Sequence, residues 1–244
     1  MTAYLSARKI NKSFLFGGNK IGILSELDFD ICEGEFVSIL GSSGCGKSTL
    51  LELFAGITRP DNGSILLCGD DITGQSGHLG YMPQEDLLFP WLSTEQNVLL
   101  PARIKKRDLA QARAEIKRLL PVFGLENHSK LLPYQLSGGL KQRVALLRTY
   151  MTGSHLLLLD EPFASLDAIT RLQMQEWLLR IKEKLELTII LVTHDISEAI
   201  KLSDRIELMD KSPGRFIKTY SLSQDLKNNP TEFEMLKKEI VARL

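Results

Sequence analysis

The chain has 244 residues, with 30 Lys and Arg balanced by 30 Asp and Glu. Hydrophobic residues make up 43% and charged residues 25%, a mixture that argues against a disordered chain. The zero balance gives no basis for general polyanion binding, so no nucleic-acid partner is expected. Cys32, Cys45 and Cys68 are an odd set without metal-ligand spacing, which points to a reducing compartment and no disulfide framework. The first ten residues lack an apolar signal core. The longest apolar runs, near Leu156 to Leu159 and Ile189 to Val192, are too short to span a bilayer.

In chain order, Phe36 to Leu40 predicts a buried strand that ends in a glycine-rich loop, and Ser48 to Ala55 predicts a helix. Ser64 to Cys68 and Leu79 to Met82 predict further short strands. From Thr94 to Phe123 the pattern turns helical, with Leu109, Ala112, Ile116, Leu119 and Phe123 at helical spacing. A second helix is expected after Ser137, to about Thr149. Leu156 to Asp160 is a strand ending in acids, Ala168 to Leu185 an amphipathic helix, and Thr188 to Thr193 a β-branched strand. Alternating strands and helices imply a mainly parallel sheet, whose ligands collect at the carboxyl ends of the strands. Gly41 to Thr49, Asp160–Glu161 and His194–Asp195 each follow a strand and are expected at that end.

Gly41-Ser42-Ser43-Gly44-Cys45-Gly46-Lys47-Ser48-Thr49 fits the pattern G-x-x-x-x-G-K-[ST]. Its backbone N–H groups can turn around phosphate oxygens, and the helix that follows adds its positive end. Lys47 would reach the β- and γ-phosphates, and Ser48 would coordinate Mg²⁺. By chance such a match arises in on the order of 1% of chains this long. Asp160 would hold Mg²⁺ through water, and Glu161 would orient the attacking water. Ser137-Gly138-Gly139 precedes a basic helix that Ser137 can cap, and the glycines would let a phosphate approach. The Lys105-Lys106-Arg107 run predicts a solvated helix start, and Cys45 a small filler.

Taken together these motifs resemble the ATP-binding cassette ATPases, the nucleotide-binding subunits of ABC transporters, over about residues 3–222. The resemblance implies that Phe14 stacks on adenine, that Gly41 to Thr49 is the Walker A loop, and that Gln84 is the Q-loop glutamine contacting Mg²⁺ and water. It also makes Ser137, Gly138 and Gly139 the signature motif, Asp160 and Glu161 the Walker B pair, Asp167 the D-loop aspartate and His194 the switch histidine. Leu140 departs from the family pattern, which continues with Gln. The implied fold is an α/β P-loop NTPase with a RecA-like, mainly parallel core, an inserted α-helical subdomain and a small antiparallel β region. The expected division is a core at about 1–88 and 152–222, a helical arm at about 89–151 and a helical tail at about 223–244. The length is expected to leave little room for an appended regulatory domain.

The same resemblance implies ATP and Mg²⁺ as cofactors, and a head-to-tail homodimer in which one subunit's signature completes the other's ATP site. It further implies transmembrane permease subunits, an extracellular solute-binding protein and a peripheral place at the cytoplasmic face of the cell membrane. Met82 to Trp91 and Asp160 to Arg171 are similar to the nitrate, sulfonate and taurine importer group, which includes importers of pyrimidine thiamine precursors. The alternatives are a cassette of DNA repair or translation, an inactive regulatory module, and an exporter subunit.

Overall fold

The computed structural model describes residues 3–211 and 213–244. Met1, Thr2 and Ser212, which fall within the expected core segments, lie outside the described residues. The chain divides into two compact units: the described residues up to His78 with Thr188–Leu244, and Leu79–Leu187.

The first unit opens with β1 (Leu5–Phe16) and β2 (Asn19–Ile31), paired antiparallel about a turn at Gly17 and Gly18. β4 (Asn62–Leu67) pairs with the other edge of β1 and with the short β5 (Asp70–Asp71). Register shifts interrupt β1 after Ala7, Ile10 and Lys12. Those bulges break the period-two alternation that marks a strand in sequence, which is why this long hairpin is not legible there.

β3 (Phe36–Gly41) is buried at all six positions. It lies parallel to β8 (Thr188–Thr193) on one side and to β9 (Arg205–Met209) on the other. β10 (Phe216–Ser221) adds antiparallel to β9. Leu40 stands opposite Thr193, so the chain leaves β3 and β8 at the same end. The helix α1 (Lys47–Phe54) buries Leu50, Leu51, Leu53 and Phe54, and Phe54 meets Phe29 of β2 at 5.3 Å between ring centroids.

After β8 come α6 (Ile196–Leu202) and, beyond the sheet, α7 (Gln224–Asn228) and α8 (Pro230–Val241). Leu236 and Ile240 of α8 enter a core with Leu40, Ile206, Leu208 and Tyr220. Phe233, partly buried, packs against the same cluster.

The second unit holds β6 (Gly80–Met82) parallel to β7 (Leu156–Asp160), the helices α2 (Thr94–Ile104), α3 (Leu109–Val122) and α4 (Gly138–Tyr150), and α5 (Ala168–Lys184). The helical stretch expected from Thr94 to Phe123 is two helices. Lys106 takes a left-handed conformation (φ 52°), and the Asp108 carboxylate accepts the N–H groups of Ala110 and Gln111 to start α3. The Lys105–Arg107 run is accordingly a helix end and turn, not a helix start. No helix among the described residues is long and apolar enough to cross a membrane.

Ile240 is fully buried, whereas Val241 beside it is 58% exposed. Ile240→Ala is expected to lower the unfolding free energy by about 2–5 kcal/mol, and Val241→Ala by about 0.5 kcal/mol or less. Denaturant unfolding of the two variants, compared at equal m-value, checks this.

Candidate functional site

In the first unit the site grows from the carboxyl end of β3. A Cβ on Gly41 would lie 2.8 Å from both the Cys45 Sγ and the Met209 carbonyl oxygen, so only glycine lets the chain turn here. Gly46 sits at φ 103° and forms the left-handed cap of α1. No side chain caps this helix, and its first turn carries no acid. Its first N–H groups therefore keep their donor capacity for a ligand, and the dipole adds positive potential.

Lys47 is buried, and its Nζ donates to the carbonyls of Gly41 at 2.7 Å and Ser42 at 3.0 Å. Ser48 is exposed beside it, with Thr49 half-buried. Cys45 is buried as a filler against Gly41; burial pushes its thiol pKa up, against the opposing pull of Lys47. Ser42 and Gly44 complete the turn, Gly44 at φ 81°.

Gly214 was not singled out by sequence. A Cβ there would lie 2.2 Å from the Cys45 carbonyl oxygen, and its own backbone is bonded to Ile23 and Ser25 of β2. It backs the phosphate loop from behind. No local motif marks it, because the contact spans the fold.

His194 follows β8 and is exposed. Its turn is knotted by three bonds. The Thr193 hydroxyl donates to the Glu198 carboxylate, and the Asp195 N–H donates to Thr193 Oγ1 at 3.0 Å. The Asp195 carboxylate accepts the Glu198 N–H at 3.1 Å. Phe14 lies on β1 opposite Ile21, 43% exposed, with the Lys12 Nζ 5.0 Å from its ring centroid.

In the second unit β7 is buried throughout and ends at Asp160, itself 5% exposed. Glu161 takes a left-handed φ of 44°. For a non-glycine residue that conformation is costly and clusters at functional sites. Gln84 is exposed just after β6. The loop behind it is clamped, since Arg148 of α4 donates to the carbonyls of Asp86 at 2.6 Å and Leu87 at 2.7 Å. Burial lowers the Arg148 pKa, yet a guanidinium stays charged.

Gln84, Gln142 and Ser165 line one cleft of about 750 Å³. The loop after β6 and the segment before α5 thus meet within the unit. The side-chain Oε1 of Gln142 is buried without a hydrogen-bond partner among the described residues, a feature that sequence reading passed over.

Ser137 caps α4 by accepting the Leu140 N–H at 3.4 Å. Cβ atoms on Gly138 and Gly139 would come within 3.2 Å of Leu166 and 3.0 Å of Thr170. Glycine at both positions lets α5 and the segment before it approach closely without displacing these side chains. Asp167 caps α5, and hydrogen bonds from Thr170 and Ile169 hold its carboxyl below the usual range.

No group of three or more His, Cys, Asp or Glu fit to hold a metal occurs among the described residues. The sequence candidates Ser48, Gln84 and Asp160 offer oxygen donors, which suit Mg²⁺, an ion that keeps waters and takes phosphate oxygens rather than a protein cage.

Residues 24–164 match the ABC transporter family. The chain belongs to the ABC transporter family. The chain is 37% identical to the aliphatic sulfonates import ATP-binding protein SsuB of Bacillus cereus, over 97% of its own length and 94% of that protein. It is 40% identical to the taurine import ATP-binding protein TauB of Pelagibacter ubique, over 84% and 77%. A solved ATP-binding cassette, MJ0796, dimeric in a post-hydrolysis state with ADP and Pi, superimposes with a TM-score of 0.77 at 29% identity, covering 90% and 99% of the two chains. The expected fold class holds: this ABC transporter chain has the P-loop NTPase fold of the cassettes, and it is an ATPase.

Gly214→Ala should displace the Cys45 carbonyl and with it the phosphate loop. A misplacement of this size is expected to lower ATP turnover about 100-fold while the fold survives. Phosphate release, together with a circular dichroism melt, checks this.

Proposed function

We propose that this chain is the ATP-binding and ATP-hydrolysing subunit of an ABC importer that takes up a small solute of the sulfonate, taurine or nitrate class. The observation that carries the ATPase part is the start of α1, where uncapped N–H groups, a left-handed Gly46 and the Lys47 ammonium converge. The similarity to SsuB and TauB, together with Met82 to Trp91 and Asp160 to Arg171, supports the importer class.

The loop N–H groups and α1 bind the phosphates of ATP, and Lys47 exchanges its two carbonyl partners for phosphate oxygens. Phe14 stacks on the adenine. The left-handed turn at Glu161 sets its carboxylate to orient the attacking water, and His194 contacts the γ-phosphate from the braced end of β8. Ser48, Gln84 and, through water, Asp160 would hold Mg²⁺, which when bound neutralises charge on the β- and γ-phosphoryl oxygens.

Ser137 to Gly139 of one subunit completes the ATP site of a second copy, with Asp167 at the same interface. ATP closes this homodimer and hydrolysis opens it. Permease subunits receive the motion through the Gln84 to Asn97 segment, and a separate extracellular protein selects the solute. The chain then works as a peripheral protein on the cytoplasmic face of the membrane. The Asn97 side chain accepts the Phe89 N–H, and its amide N–H groups are shared among the carbonyls of Phe89, Leu92 and Ser93, which braces that segment.

Two variants separate binding from hydrolysis. Lys47→Ala is expected to weaken ATP binding at least about ten-fold, as a charge-assisted contact is worth ~1.5–3 kcal/mol. Unchanged affinity by titration with a fluorescent ATP analogue would sink the phosphate-loop reading. Glu161→Gln is expected to retain ATP binding and to trap a dimer on size-exclusion chromatography. A monomer with full turnover at saturating ATP is the opposing outcome. For the importer class, co-purification should bring down a permease and a solute-binding protein, the latter stabilised by taurine, an alkanesulfonate or nitrate in a thermal-shift screen. Recovery of a fused-domain exporter instead excludes import.

A further inference from the structure

The zero net charge conceals an uneven distribution. Between Phe89 and Met151 stand eleven Lys and Arg against four Asp and Glu, and the remaining chain carries nineteen against twenty-six. Four of these eleven cations stand within the five residues Arg103-Ile104-Lys105-Lys106-Arg107, which end α2 and make the turn that leads to α3.

The turn is fastened from within. Lys105 Nζ donates to the Thr152 carbonyl at 2.8 Å, and Arg107 donates to the Met151 carbonyl at 3.2 Å and to Glu115 at 3.0 Å. Asp108 is spent on capping α3. Arg103 and Lys106 are left exposed, without an ion-pair partner among the described residues, on either side of Ile104, which is 78% exposed. One cation at the end of α2 is enough to offset its dipole, and Arg103 supplies it. That accounts neither for Lys106 nor for an isoleucine held out into solvent between charges.

We propose that this α2–α3 turn is a docking surface for an anionic lipid bilayer. Charge complementarity names the occupant. An exposed aliphatic side chain ringed by cations enters the headgroup layer while its neighbours meet acidic lipid headgroups, and the attraction decays with salt. The internal bonds of Lys105 and Arg107 hold the turn in one shape, so little ordering is lost on contact. The inference rests on the reading of the chain as a peripheral membrane subunit, and adds which of its residues touch lipid directly.

The test is co-sedimentation of the full-length chain with vesicles of phosphatidylcholine alone or of equal parts phosphatidylcholine and phosphatidylglycerol. Binding is expected only to the second, and added salt should release it. R103E/K106E is expected to weaken binding on the order of ten-fold or more, with a smaller loss in the milder R103Q/K106Q and in Ile104→Ser. ATP binding, measured in parallel, should be unchanged in all three. Binding indifferent to phosphatidylglycerol, absent altogether, or undiminished in the charge variants overturns the proposal. If wild-type chain binds ATP yet ignores the anionic vesicles, the docking surface falls and the ATPase reading stands. If ATP binding itself is missing, that reading falls independently of the lipid result.

Discussion

The start of α1 imposes the constraint from which much of the first unit follows. A helix cannot satisfy its own first N–H groups, and most helices in this chain answer that need with a side chain: Ser93, Asp108, Ser137, Asp167, Asp195 and Asn229 all accept such bonds. At α1 there is glycine in a left-handed conformation and no cap. Keeping donors and a positive dipole unspent, next to a buried lysine, requires rigid support on every side. β3 delivers the loop from a strand buried at all positions, and the Lys47 ammonium draws in the loop carbonyls. Gly214 and Met209 close the back so tightly that no side chain fits at Gly41 or Gly214.

The second unit uses steric closeness differently. The two signature glycines stand where side chains from the start of α5 and the segment before it press in, and α4 and α5 each begin at a polar cap. Their spacing is therefore fixed by packing as well as by any ligand. Glu161 is one of four non-glycine residues of this unit, with Leu87, Lys106 and Glu186, in a left-handed conformation, and it is the one that directly follows a fully buried strand. The cost of such a conformation, of order 1–3 kcal/mol, is borne by the packed strand behind it. Arg148 and Asn97 place backbone bonds around the loop after Gln84, so that exposed aromatic residues such as Trp91 are presented on a braced segment.

Charge adds a further level of organisation that the total hides. The balanced count gives no basis for a global polyanion binder, yet the same count divides into a basic helical stretch and an acidic remainder. In sequence the Lys105-Lys106-Arg107 run reads as a solvated helix start. Its surroundings in the structure separate the cations that are spoken for from those that are not.

The sequence by itself determined the glycine-rich loop before α1, the acidic end of β7, the placing of His194 after a strand and the family, because each is written in a short contiguous stretch whose spacing is local. It also located β3, α1, β7, α5 and β8, whose apolar patterns are unbroken. It could not show the β1–β2 hairpin, where bulges scramble the alternation, or that α2 ends at the Lys105–Arg107 run, where Lys106 takes a left-handed conformation. Only the tertiary structure decided that Gly214 backs the loop after β3, that Arg148 clamps the loop after Gln84, that Gln142 is buried in the cleft that Gln84 lines, and that Thr170 packs against Gly139. The reason is physical. Backbone hydrogen-bonding capacity and charge belong to residues, whereas close approach and desolvation belong to pairs that the chain brings together only on folding.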